Sequence, residues 1–259
     1  MTHPAYGELR GVSPFASVLL ENNPSSMTLE GTNSWVLRAP GAPGSVVVDP
    51  GHDDREHLAK LIAAAGEVAL VLVTHHHGDH ADGAPWFAQQ VQAPVRAFDQ
   101  ALCRDARPLE PDEVVEAADL RIRVLHTPGH TADSVSLLLD NLERPQVLTG
   151  DTILGRGTTV LSDLGDYLRS LRALTDIPAG TLGLPGHGPE IPDLLGTVRE
   201  YLEHREQRLN QVRAALRRLG PDASPREIVE LVYADVDPVL WGPAEFSVRA
   251  QLDYLRSQE

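Results

Sequence analysis

Val71-Leu72-Val73-Thr74-His75-His76-His77-Gly78-Asp79-His80 is the stretch on which the reading of the whole chain turns. A β-branched apolar run stops abruptly, and four groups able to ligate a metal, His75, His77, Asp79 and His80, leave the strand end together. Imidazole nitrogens and carboxylate oxygens suit a borderline divalent ion such as zinc, and short spacing within one loop lets neighbouring side chains reach it at little entropic cost. A tag-like histidine run would have no partners elsewhere. Here three follow at turn or strand ends: His130 in Thr127-Pro128-Gly129-His130-Thr131, Asp151 in Thr149-Gly150-Asp151, and His187 in Leu184-Pro185-Gly186-His187-Gly188.

These seven side chains divide into two metal positions, with His75, His77 and His130 around one, Asp79, His80 and His187 around the other, and Asp151 bridging. Two ions ~3.5–4 Å apart lower the pKa of a bound water towards ~7 and stabilise charge developing on an electrophile, so the expected nucleophile is a bridging hydroxide and the expected catalytic carboxylates are Asp79 and Asp151. Asp49, in Val48-Asp49-Pro50-Gly51, ends another apolar run and is expected to hold a ligand or the histidine loop in place. Thr74 and Thr131 are expected to hydrogen-bond loop backbone or ligands. His76 has no place left in two filled sites and is expected beside the ligands or exposed. His126, at a strand end, reads as a hydrogen-bonded structural residue, and Cys103 as a small packed one.

Outward from the histidine loop, strand-like runs lie at Ala16–Leu20, Trp35–Arg38, Val46–Asp49, Ala69–Thr74, Arg121–His126, Val135–Leu139 and Val147–Thr149. Pro40-Gly41-Ala42-Pro43-Gly44 reads as a tight connection between two of them. Helical spacing intervenes: Asp53 or Asp54 caps a helix through Leu58, Leu61, Ile62 and Ala65 that stops at Gly66; a second covers Gly83 to Val91; Tyr167, Leu168, Leu171 and Leu174 mark a third. Strands in hairpins as well as in alternation with helices imply a layered α/β fold with mixed sheets. The character changes near Pro189. A long amphipathic helix runs from Asp193 to Gly220-Pro221, a second from Ser224-Pro225 through Val232, and a third from Pro243 through Leu255. The expected division is residues 1–190 as a catalytic domain and 191–259 as a helical module.

Bulk composition narrows the class. The chain has 259 residues, 37 Asp plus Glu against 22 Lys plus Arg for a net charge of -15, 11 His and one Cys. One cysteine excludes an internal disulfide framework. The N-terminus Met1-Thr2-His3-Pro4-Ala5-Tyr6-Gly7-Glu8 lacks the pattern of a signal peptide, and apolar runs fall far short of the ~20 residues of a membrane helix. A cytoplasmic protein with no membrane contact is expected. Acidic balance disfavours indiscriminate polyanion binding, and Glu200, Glu203 and Glu206 interleave with Arg199, Arg205, Arg208, Arg213, Arg217 and Arg218 of the long helix as a solvated face would, a nucleic-acid groove or a dimer surface being the alternatives.

The histidine string, with Asp49-Pro50-Gly51, Pro128-Gly129-His130-Thr131, Gly150-Asp151 and Pro185-Gly186-His187-Gly188 in this order, resembles the metallo-β-lactamase-fold hydrolase superfamily over roughly residues 15–190. The resemblance implies a four-layer αβ/βα sandwich with the metals at the edge where strand-end loops meet, and places the seven ligand roles on these positions. Asn23-Pro24-Ser25-Ser26-Met27-Thr28-Leu29-Glu30-Gly31-Thr32-Asn33-Ser34-Trp35, with the helical tail, resembles the β-lactamase-like protein 2 branch near glyoxalase II. Members of that branch carry a winged-helix-like C-terminal module, and an animal member is an endoribonuclease of single-stranded RNA. This chain departs in two ways: His76 stands where a small polar residue is usual, and no wing strands are expected after Leu255.

The expected activity is dinuclear metal-dependent hydrolysis, on a thioester or ester of a cytoplasmic metabolite, with two zinc ions per chain; iron or manganese would suit the same ligands, and a mononuclear iron oxygenase is a variant of that choice. Cleavage of single-stranded RNA is the alternative substrate class. A non-catalytic, metal-dependent nucleic-acid-binding protein is the alternative outside enzymes. Penicillin hydrolysis is disfavoured for want of an export signal.

Overall fold

The computed structural model describes residues 6–258; residues 1–5 and 259, including the start of the stretch read for a leader and the extreme ends of the two expected domains, lie outside it. Two mixed sheets form its centre. The first has six strands in sequential order, β1 (Leu9–Gly11), β2 (Ala16–Leu20), β3 (Asn33–Leu37), β4 (Gly44–Val48), β5 (Glu67–Leu72) and β6 (Val95–Arg96). Its first three pairings are antiparallel, while β4–β5 and β5–β6 are parallel. The second sheet orders β11 (Leu182–Pro185), β10 (Gln146–Gly150), β9 (Val135–Leu139), β8 (Leu120–His126) and β7 (Val114–Ala117), antiparallel throughout except for β10–β11.

Strand alternation sends successive side chains to opposite faces, and these strands use both. Val46 and Val48 of β4, Leu70 and Leu72 of β5, Leu137 and Leu139 of β9 and Leu148 of β10 meet between the sheets. Val47 and Val71 point outward into a second core closed by α1 (Arg55–Ala65) and α3 (Ala84–Val91), through Leu58, Leu61 and Phe87. On the far side Leu138 and Val147 pack against Tyr167, Leu168 and Leu171 of α4 (Leu164–Ala173) and Leu194 and Val198 of α5 (Leu194–Leu219). Four layers result, helix on sheet on sheet on helix.

Helix ends follow local chemistry. Asp54 accepts from the backbone N–H of Glu56 and His57, and Asp193 from Gly196, each satisfying donors the first turn leaves free. Ser224 and Glu227 form a reciprocal capping box at α6 (Pro225–Val232). The C-terminal half of α5 then joins α6 and α7 (Trp241–Ser257) in a separate apolar cluster around Val212, Ile228 and Val248. Among the described residues no strand follows β11, so the C-terminal region is helical, and no helix is long and apolar enough to cross a membrane.

The topology puts one edge to use. The C-terminal ends of β4, β5, β8, β10 and β11 share it, so Asp49, the histidine loop, His130, Asp151 and His187 are carried there together. Backbone bonds stitch the two sheets along this edge: Val135 N–H donates to Thr74 O (2.9 Å), and Asn33 N–H to Gly186 O (2.8 Å).

Candidate metal centre

β5 ends at Leu72, and Thr74 is then held by Asp49, which accepts from the Thr74 N–H and hydroxyl, both at 2.7 Å. Asp49 itself sits in the left-handed backbone region (φ 52°), which Asp tolerates better than most residues. Its Oδ2 also accepts from His80 Nδ1 at 2.8 Å. His77 closes the loop as the residue preceding α2 (Gly78–Ala81), so Asp79 and His80 project from the first turn of a short helix where a plain loop was expected.

All seven residues singled out from the sequence converge, in three overlapping groups whose ligand atoms lie within 4.8 Å of one another: His75, His77 and His130; Asp79, His80 and His187; and His75, His80 and Asp151. Asp151 lies between the first two, its carboxylate 3.6 Å from His130 Nε2, 3.4 Å from His187 Nε2 and 3.5 Å from His80 Nε2.

The outward-facing ring nitrogens settle the tautomers. His80 Nδ1–H is committed to Asp49, His187 Nδ1–H to Gly31 O (3.1 Å) and His130 Nδ1–H to Val160 O (2.8 Å). Thr74 spends its hydroxyl hydrogen on Asp49, so it accepts from His75 Nδ1–H at 3.1 Å. In its neutral form, the one that can ligate a metal, each of these four rings therefore turns a lone pair inward. His75 Nε2 and His130 Nε2 stand 3.1 and 3.0 Å from the same His77 Nδ1, and one hydrogen there cannot satisfy both. Asp151 Oδ1 is buried without a hydrogen-bond partner. Converging lone pairs and an orphaned carboxylate oxygen are what a divalent cation satisfies.

The halves differ electrostatically. Burial, then the neighbouring imidazoles, holds His75 well below the usual histidine range and brings His77 down to about 4. In the other half burial opposes charging, but Asp151 and Asp79 outweigh it and carry His187 up to about 11; His80 is raised by Asp151 and Asp49 in the same way. The carboxyls of Asp79 and Asp151 are correspondingly held well below their usual range, again against burial, by His187 and His80. One half is thus a neutral nitrogen set and the other a carboxylate-rich one that draws in positive charge.

Other expectations fall around this centre. Thr131 hydroxyl pairs with Ser134 Oγ at 2.7 Å and so braces the His130 loop, without touching a candidate ligand. His76 points away, its Nδ1 2.7 Å from Asp133 Oδ1. His126 lies outside the cluster, bonded to Ala132 O and stacked on Phe98 at 4.1 Å. Gly186 floors the site: a Cβ there would meet Asp151 Oδ1 at 2.5 Å and His80 Cε1 at 2.7 Å, so the backbone approaches more closely than any side chain allows. Two residues escaped the sequence reading. Thr32 donates to Asp79 Oδ2 at 3.2 Å and accepts from Asn23 at 2.9 Å, which gives the Asn23–Trp35 motif a place at the site, and Asp133 partners His76. A lone Thr or Asp carries no spacing signal of its own.

The profile of the Metallo-beta-lactamase superfamily matches residues 27–187, and that of the Beta-lactamase associated winged helix domain matches residues 224–259. The chain is 33% identical over 220 residues to the lactamase-like protein adaB of Aspergillus niger, covering 83% of this chain and 68% of that one. It is 31% identical over 267 residues to a beta-lactamase-like protein 2 homolog of Drosophila melanogaster, covering 93% and 87%. A beta-lactamase domain protein of Burkholderia ambifaria has the same fold, with a TM-score of 0.83 at 23% identity over 99% of this chain and 90% of that one.

Proposed function

The chain belongs to the metallo-beta-lactamase superfamily and is a metal-dependent hydrolase of that fold, and on this footing we propose that it works with two zinc ions on a thioester or ester of a small metabolite. His75, His77 and His130 would hold one ion, Asp79, His80 and His187 the other, with Asp151 shared between them. When bound, two such cations supply a water of lowered pKa and a Lewis acid for the scissile carbonyl. Asp49, Thr74, Gly31 and Val160 take the hydrogen at Nδ1 of their rings, so that each neutral ring offers its Nε2 to a metal and is aimed at it. Thr32 holds Asp79 in register, and the apolar side chains of Leu154 and Val160 beside His130 and Asp151 keep bulk water from the reacting carbonyl.

The observation that carries this reading is the convergence of five inward imidazoles on two carboxylates, one of them orphaned. We read residues 1–190 as the catalytic domain and 191–259 as a helical module covering its open edge, a division the two profile matches support. One cysteine in the chain fits a reducing compartment, which we take to be the cytoplasm.

Turnover of thioesters, lactones and single-stranded RNA by the purified chain, beside its Asp79→Ala variant, tests the proposal; near-normal turnover in that variant would overturn it. Metal analysis of protein purified without added metal distinguishes zinc from iron or manganese. Cleavage of single-stranded RNA is the second reading, favoured by the arginines Arg156, Arg205 and Arg208 near the site. It requires cleavage that weakens steeply with salt, since phosphate contacts release counterions.

A further inference from the structure

A cavity of about 330 Å³ opens beside His130 and Asp151 and is closed on its far side by α5 and the C-terminal helices. Its walls are of two kinds. Met27, Leu29, Leu154, Val160, Leu240 and Pro243 line an apolar passage. Arg205 and Arg208, with the neutral donor His204 beside them, make a cationic patch within little more than one turn of α5.

Arg205 is only 4% exposed. One Nη donates to Thr159 O at 2.7 Å, its guanidinium lies 5.2 Å from the Tyr167 ring centre, and its Nε is buried without a partner. Arg208 donates to Gln211 and to Val232 O and stacks over Tyr233 at 4.5 Å. His204 has a buried, unpartnered Nδ1. Burial, then Arg205 and Arg208, pushes the His204 ring below its usual range, so the three groups feel one another's charge. Among the described residues no carboxylate forms an ion pair with any of them. In a chain with 37 acidic side chains this is unexpected for Arg205, because a buried cation costs several kcal/mol when it is left unpaired. Structural ties from Arg205 to Thr159 and from Arg208 to Val232 leave the buried Arg205 Nε and His204 Nδ1 unexplained.

We propose that the cavity takes an apolar acyl chain ending in a compact oxyanion, a carboxylate or a phosphate, seated against His204, Arg205 and Arg208 while the scissile carbonyl lies at the His130–Asp151 end. The assignment rests on the hydrolase reading above and deepens it to a substrate class.

Its test uses the full-length, zinc-loaded chain and N-acetylcysteamine thioesters of matched chain length bearing a methyl, a carboxylate or a phosphate at the far end. A charged hydrogen bond predicts at least a ~10-fold higher kcat/KM for one of the two oxyanion substrates over the methyl one, and which of them wins names the group. In Arg208→Gln and His204→Gln that ratio, read within each protein, falls towards one; Arg205→Lys, which keeps the charge but loses the fork, lowers it in part. Active hydrolysis with no charge preference overturns the assignment and leaves the hydrolase reading standing. The same three chains are also titrated calorimetrically as non-hydrolysable thioethers. Tighter binding of an oxyanion analogue that Arg208→Gln abolishes supports the subsite even if no thioester is turned over, and equal binding of all three overturns it. Arg208 belongs to none of the candidate metal groups, so its effect separates this site from direct capture of the anion by zinc.

Discussion

Asp49→Asn alters one atom, replacing an acceptor with a donor, and its effect should be felt in metal binding at the candidate centre. Asp49 accepts three hydrogen bonds, from the Thr74 N–H, the Thr74 hydroxyl and His80 Nδ1. If the amide keeps its oxygen on the Thr74 N–H, its NH2 faces His80 Nδ1. To accept there, His80 must move its hydrogen to Nε2, the nitrogen that faces His187, Asp79 and Asp151. A hydrogen bond to a charged acceptor contributes about 1.5–3 kcal/mol, which converts to a roughly 10- to 150-fold loss of metal affinity if it is all spent on keeping the ring in its ligating form. The loss should fall first on the Asp79–His80–His187 group, and then on His75, because the Thr74 hydroxyl that orients it loses its own acceptor. Competition against a calibrated chelator, with metal content measured after dialysis, should show a weakened ion and a stoichiometry falling from two towards one. Asp49→Asn holding two ions at wild-type affinity would refute the claim that these hydrogen bonds set the ligating tautomers.

Further outcomes follow from other parts of the structure. Gly186→Ala should cut turnover by about 100-fold and lower metal content with little change in melting temperature, since the new methyl displaces Asp151 and His80 but no core side chain; wild-type kinetics would show that the floor has slack. His57 is buried, bonded to Ser34, and brought down to about 4, chiefly by burial with Lys60 and His52 acting alike and Asp54 opposing. Because its folded pKa lies below the unfolded value near 6.5, the unfolded chain binds the extra proton between those values, so His57 stabilises fully above pH ~6.5 and loses that contribution as pH falls towards 4. From pH 7.5 to pH 5 the wild type should lose about 2 kcal/mol more unfolding free energy than His57→Gln, measured in urea, and parallel pH profiles would contradict the burial argument.

Legibility tracked the range of the interaction concerned. Helix limits were readable because capping is local: Asp54, Asp193, Gly66 and the Ser224-Pro225 start all act within a few residues, and each sits where expected. Long apolar strands were readable for the same reason. β11 was not, because Gly183 and Pro185 make Leu182–Pro185 look like a turn, and its four residues become a strand only by pairing with β10. β6, two residues after Pro94, exists by virtue of β5; β1, exposed along its length, lacks an apolar signature, and the four residues of β7 are too few for theirs to show a period. At the site, the seven side chains named from the sequence come together because their residue types announce metal chemistry wherever they stand. What supports them did not announce itself. Thr32, Asp133 and Arg205 acquire their roles from partners 47, 57 and 46 positions away, a relation that no local pattern encodes.

The 26-residue helix α5 is one unbroken rod of about 39 Å. Its first half is fixed to the outer layer of the sandwich through Leu194, Val198 and Tyr201, its second half carries the C-terminal helices through Val212 and Ala215, and the cationic patch lies between. Each residue added along such a rod rotates whatever it carries by 100° and advances it ~1.5 Å. A single insertion between Tyr201 and Val212 would therefore swing the roof of the cavity aside, whereas an insertion close to a whole turn would lift it by ~5.4 Å and keep it facing the candidate metal centre. Pocket depth in this architecture is quantised by helical pitch, so related chains that differ in substrate length should differ here by turns of helix as much as by the identity of the lining residues.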